Sequence, residues 1–222
     1  MNWVALELSM KLAFWTTLIL LPVGILMGRF LAWRSFKGKV VVEAALALPL
    51  VLPPTVLGFY MLVAFAGPSP FGQFYQSLVG RPLAFSFEGL VLASLIFNLP
   101  FAIQPMQRAF EGISADIRDA AACCGLSPWR ILWRIELPLA WPGILSALVL
   151  TFAHTIGEFG IVLMVGGNIP GETQTIAIAI YDKVQLFDNA SAGLMSAVLL
   201  LVSLVAISAT YFTTSLVGRR HD

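Results

Sequence analysis

The sequence predicts an all-α integral membrane protein with five crossings in a single domain, residues 1–222. Three observations lead there. Only 11% of the residues are charged while 59% are apolar; soluble domains carry ~25% charged residues, so this chain has too few polar side chains to cover a water-facing surface. Five apolar stretches reach the ~20 residues that a helix needs to cross the hydrocarbon core. The basic residues crowd onto alternate loops, as multi-pass chains require.

The first stretch, about 12–33, follows the segment MNWVALELSM. That segment has no basic n-region and no small-residue cleavage site follows it, so a retained helix is expected rather than a leader. It ends where Arg29, Arg34, Lys37 and Lys39 begin. The second stretch, about 43–66, should bend, because Pro49, Pro53 and Pro54 remove donors and free backbone carbonyls. Thr55 and Gly58 follow on the next turn, which suits a helix lining a path or hinging a gate; a packing kink is the alternative. The third stretch runs from about 87 to 107. The fourth, about 140–165, contains His154, Gly157 and Glu158, and the fifth covers about 190–217. A further apolar patch, TIAIAIY at 175–181, is too short to cross and should be re-entrant or superficial.

Orientation follows from the charges. One side would hold Arg29, Arg34, Lys37, Lys39, Arg108, Arg118, Arg130, Arg134, Arg219 and Arg220, and the other only Lys11, Arg81 and Lys183. The positive-inside rule therefore puts the N-terminus outside, the C-terminus in the cytoplasm, and the 108–139 loop on the cytoplasmic face. The outer loops, 67–86 and 166–189, are rich in Gly, Pro and polar turn-formers.

Inside 108–139 the pattern reads helix, tight turn, helix. Ser114 can cap a first helix from Ala115 to Cys124, with Asp116 and Asp119 near its positive end. Gly125 suits the position just past its C-terminus. Ser127 and Pro128 then start a second helix. Ala120, Ala121 and Ala122 leave the first helix so little bulk that it can sit deep in a groove on another protein. Trp129, Ile131, Leu132 and Trp133 are expected to anchor the loop to the bundle.

The spacing from Asp119-Ala120-Ala121 through Gly125-Leu126 to Ile135, Leu137 and Pro138 resembles the EAA loop by which ABC importer permeases dock onto a separate ATPase. Asp119 stands where that family usually has Glu. The segments LPLVLPPTVLG at 48–58 and IGEFGIVLMVGGNIPGETQT at 156–175 are similar to the molybdate permeases of bacterial ABC importers, along nearly the whole chain. The resemblance implies a five-span type I (MetI-like) permease core with a cytoplasmic coupling helix in the bacterial inner membrane. It also implies a homodimer in lipid, two cytoplasmic ATPase subunits and an extracytoplasmic oxyanion-binding protein. Tungstate and sulfate permeases share the EAA loop and variants of the Gly-Glu-Phe-Gly motif, so tungstate and sulfate or thiosulfate remain alternatives, while the Pro-Gly-Glu-Thr run favours molybdate; an ion-coupled secondary transporter is the alternative from another class. Nothing points to nucleic acid as a partner.

The chemistry of the residues fits a transport subunit rather than an enzyme. Gly38-Lys39 has Trp33 and Val40 where a phosphate-binding loop needs Gly and Ser or Thr, so ATP with its magnesium is expected on the partner. Two histidines and the adjacent Cys123 and Cys124 give neither a metal site nor a disulfide framework. No Lys or Arg lies mid-span, so an oxyanion is expected to meet only weak sites in the pore. His154 and Glu158, four apart, would share a helix face; mutual pairing, lining of the path and a proton relay are all open. The molybdate family often has Arg where His154 stands. Gly157 and Gly160 would allow close helix contact. Asn168, Pro170, Gly171, Glu172 and Thr173 are expected to form a rigid turn near the outer mouth, with the short 175–181 segment folding back as a gate, the loop serving as the docking surface for the binding protein, or both.

Overall fold

The structure is a computed structural model that describes the backbone of residues 1–218 and the side chains of residues 1–208. Arg219 and Arg220, named above, and His221, the second of the two histidines, lie outside the described residues. Helix α1 spans Trp3–Trp33 and is capped by Asn2, whose side chain accepts from the Ala5 amide at 3.1 Å. It starts well before residue 12 because Glu7 and Lys11 pair across one turn at 2.7 Å, which makes polar residues acceptable in an exposed helix end.

The second stretch is not one bent helix. It is a broken pair, α2 (Lys39–Val51) and α3 (Pro54–Phe65), with a 108° change of direction. Pro53 forces Leu52 into an extended conformation, ψ 137°, and neither Pro53 nor Pro54 has an amide to continue the ladder. The 67–86 loop holds a short helix, α4 (Pro70–Val79), capped by Ser69. The third stretch is α5 (Phe87–Glu111), capped by Ser86.

After α5 come α6 (Ala115–Cys123), the single turn α7 (Pro128–Ile131), a π-helical turn (Leu132–Glu136) and α8 (Leu137–Ile156). Residues 128–156 thus form one membrane-length helix. The fourth span begins inside the expected 108–139 loop and stops at Ile156, instead of running from 140 to 165. A short α9 (Gly160–Gly166) follows the break. The 175–181 patch becomes α10 (Ile176–Gln185), with Ile176, Ile178 and Ala179 buried. Helix α11 (Asn189–Gly218) closes the chain. Among the described residues four helices are long and apolar enough to cross a membrane, and the α2/α3 pair makes a fifth crossing if it counts as one span.

Helices α1, α5 and α8 form the centre, packed around Met106, Phe110, Leu132, Ala140, Ile144 and Ala147. A Cβ on Gly24 would touch Met106, and one on Gly28 would touch Gln107, so α1 and α5 run in the same direction. Gly143 of α8 faces Ala109, whereas His154 reaches back to Asn98, so α8 runs opposite to both. The C-terminal ends of α1 and α5 and the start of α8 therefore share one end of the bundle. Gly24 and Gly28 form a Gly-x-x-x-Gly pair, a close-packing signal that the sequence carried and the span reading above passed over.

Candidate functional site

At that shared end, α6 lies on the surface. Ser114 accepts from the Asp116 amide at 3.3 Å. The other end closes with Leu126 N donating to Ala121 O at 3.2 Å and Gly125 N to Ala122 O at 2.9 Å, with Gly125 at φ +77°. This paired closure requires a left-handed residue, which is glycine's role here. Asp119, Ala120 and Ala122 face outward, Ala121 is buried and Leu126 is half-buried. Ile135 and Leu137 are half-buried and Pro138 exposed; all three belong to the π turn and the start of α8, not to the surface helix. The expected anchor is only half right. Ile131 and Leu132 are buried, but Trp129 and Trp133 are 60% and 57% exposed and stack edge-on at 5.8 Å. With 128–136 helical, positions 129 and 133 share the outer face.

The same end holds a charged cluster that the sequence reading missed. Glu136, fully buried, accepts from Arg29 Nε at 2.5 Å and Nη2 at 3.3 Å, and from Arg118 Nε at 2.8 Å. The available signal was an acid inside Ile-x-Leu-Pro, just where an apolar span begins.

Midway along the bundle, Pro54, Thr55, Phe97, His154, Gly157 and Glu158 line a cavity of about 570 Å³. The structure thus brings together most of the residues expected on the path, from the two broken spans. Pro53 sits at the break itself. The expected shared helix face of His154 and Glu158 does not exist, because the helix ends at Ile156 between them. Glu158 instead turns to cap α9, accepting from the Ile161 amide at 3.2 Å. His154 lies against Phe101, ring centroids 3.9 Å apart, and its Nδ1 is 3.0 Å from Asn98 Oδ1. Asn98, itself fully buried, also donates to Ser94 O at 2.8 Å.

The 168–173 segment is elsewhere. Pro170 is exposed, and Gly171 and Glu172 line a separate cavity of about 750 Å³ with Lys11, Arg81 and Glu88. Thr173 does not line it. It is buried, donating to Gly166 O at 2.6 Å and accepting from Ile169 N at 3.2 Å, so it clasps the turn at Gly167 from within.

The structure thus has a surface helix at one end of the bundle and, midway along it, a cavity where the α2/α3 break meets the turn between α8 and α9. The family model for the binding-protein-dependent transport system inner membrane component matches residues 21–221. The chain belongs to this family. It is 44% identical over 207 residues to the molybdenum transport system permease protein ModB of Azotobacter vinelandii, covering 93% of this chain and 92% of that one. The ModB of Escherichia coli K12 is 38% identical over 184 residues, covering 83% and 80%. Among solved structures, the inward-facing MetNI methionine ABC transporter matches with a TM-score of 0.70 at 20% identity, covering 97% of this chain and 94% of that one. The permease therefore has the type I ABC importer fold and is a multi-pass inner-membrane transport subunit. ATPase and binding-protein partners go with the family.

Proposed function

We propose that this chain forms the membrane path of an importer for molybdate. Two copies would pair within the lipid. Two cytoplasmic ATPase subunits would grip α6 through Asp119, Ala120, Ala122 and Gly125. An extracytoplasmic protein would deliver the oxyanion to the outer mouth near Gly171 and Glu172. The N-terminus lies outside and the C-terminus inside, as the positive-inside rule requires. ATP and its magnesium belong to the partner, and this chain binds no cofactor. The observation that carries the reading is the exposed, low-bulk α6, closed by Gly125 and projecting from the basic end of the bundle. The 44% identity to a molybdenum permease over nearly the whole chain supports the substrate.

Closure of the ATPases would draw the α6 helices together and turn the spans, opening the central cavity outward; hydrolysis would reset it. Among the described residues no Lys or Arg lines that cavity, which suits a path that must release its anion and leaves selection to the binding protein. Pro53, Pro54, Thr55, His154, Gly157 and Glu158 are assigned to this path, and Pro170 with Gly171 and Glu172 to the outer mouth. The test is ATPase activity in proteoliposomes containing the permease, its ATPase and binding protein loaded with molybdate, tungstate or sulfate. Stimulation by molybdate and tungstate, abolished by Gly125→Asp, is expected. Stimulation by sulfate alone overturns the substrate, and uptake driven by an ion gradient without ATP overturns the importer.

A further inference from the structure

We propose that Glu136 is the joint through which movement of α6 reaches the membrane spans, with Arg118 and Arg29 as its two arms. This rests on the reading of α6 as the ATPase-docking helix. Of the nine residues of α6 only Ala121 is buried, so apolar packing gives that helix little grip on the bundle. Its firm connection is Arg118, whose Nε donates to Glu136 Oε1 at 2.8 Å while its guanidinium lies 3.9 Å over the ring of Trp33 at the end of α1. Arg29 of α1 reaches the same carboxylate through Nε and Nη2, at 2.5 and 3.3 Å, and its Nη2 is also 3.5 Å from Pro128 O.

Three moving parts thus converge on one carboxylate: the docking helix, the end of α1 and the root of α8. Hydrogen bonds in which both groups are charged are short and strong. A fully buried carboxylate between two guanidiniums is also costly to separate from either, so a pull on α6 moves α1 and α8 together. Glu136 lies on the π turn, a one-residue insertion of the kind often found at functional points of helices. The insertion lies where the turn at 128–131 passes without a break into the regular α8. Glu136 touches no substrate; it is a positioning residue.

The test uses the permease with its ATPase and binding protein in proteoliposomes, and reads oxyanion taken up per ATP hydrolysed. Arg118→Met is the primary variant, because it leaves the Arg29–Glu136 pair in place to hold the fold. Uptake per ATP is expected to fall about fivefold or more, the lower end of couplings between distant sites, with Glu136→Gln falling at least as far. Arg118→Lys, which keeps the charge, is expected to recover part of the ratio. A purely structural role would lower uptake and hydrolysis in proportion and leave the ratio unchanged in Arg118→Met; that result overturns the inference alone. Failure of the unsubstituted complex to show ATP-driven uptake overturns the docking reading and this inference with it.

Discussion

Gly28 fixes how near α1 approaches α5, and through its neighbour Arg29 it fixes where the charged joint sits. A Cβ on Gly28 would stand 2.9 Å from the Gln107 amide nitrogen and 3.2 Å from Met106 C and Cβ. Non-bonded contacts settle near 3.5 Å, so Gly28→Ala pushes the helices apart by roughly 0.6 Å. The obstacle is α5 backbone, which cannot rotate aside. A gap of that size forfeits about a quarter of the dispersion well for the atoms along the crossing, and overpacking of this kind costs about 1–3 kcal/mol. Alanine's better helix propensity returns about 1 kcal/mol. The net destabilisation is about 0–2 kcal/mol, a fall in Tm of up to about 8 °C for a chain of this size. Gly24→Ala is the control, since its Cβ meets chiefly the flexible end of Met106, Sδ at 2.7 Å and Cε at 3.2 Å. Methionine yields easily, so the propensity gain of about 1 kcal/mol is kept and that variant should be as stable as the parent or up to about 1 kcal/mol more stable. Thermal unfolding in lipid nanodiscs, followed by tryptophan fluorescence, measures both. A Gly28→Ala permease as stable as Gly24→Ala, or more stable, would refute the crossing.

Two further substitutions probe the path and the outer turn. Asn98→Ala removes the acceptor 3.0 Å from His154 Nδ1. Side-chain hydrogen bonds inside membranes average about 0.6 kcal/mol, so stability should drop by about that much while oxyanion uptake slows more clearly; unchanged uptake would remove this pair from the path. Thr173→Val deletes the hydroxyl that bonds Gly166 O and Ile169 N, stranding two backbone groups at about 1–3 kcal/mol each if they stay dry. Limited proteolysis should then cut faster within 167–175, and Thr173→Ser should restore resistance; equal cleavage of Thr173→Val and the parent would show that the clasp is unimportant.

Each helix long and apolar enough to cross among the described residues falls on a stretch that hydropathy picked out, because the bilayer demands a length of apolar residues whatever the partner elements do. Hydropathy misplaced the ends for local reasons. Asn2 and the Glu7–Lys11 pair extend α1 outward, and the π turn lets α8 grow continuously from the turn at 128–131. Capping chemistry was readable at Ser114, Gly125 and Ser127, since each rule concerns only a few adjacent residues. Glu136 was not readable in the same way. Its partners are Arg29 and Arg118, and only the packing of α1 against α5 and α8 brings them together. Trp129 and Trp133 looked like anchors by composition, but the helical phase turned them outward.

The two breaks, at Pro53 and at Gly157–Phe159, explain one another. Each falls in a stretch that hydropathy reads as a single span, and each leaves backbone groups without helical partners. Such groups are tolerated at membrane depth only when protein or a cavity satisfies them. Here the breaks meet face to face: a Cβ on Gly160 would lie 2.8 Å from Pro54 Cβ, and one on Gly58 would lie 2.9 Å from Met164 Cβ. Helices α3 and α9 therefore pack as one unit, separated by bends from α2 and α8. Glu158 supplies an acceptor for α9, and the cavity takes up the space the bends create. A glycine at 160 and a proline at 54 are then parts of a single requirement. The bends are tolerated at this depth because the broken ends stand against each other and against the cavity between them.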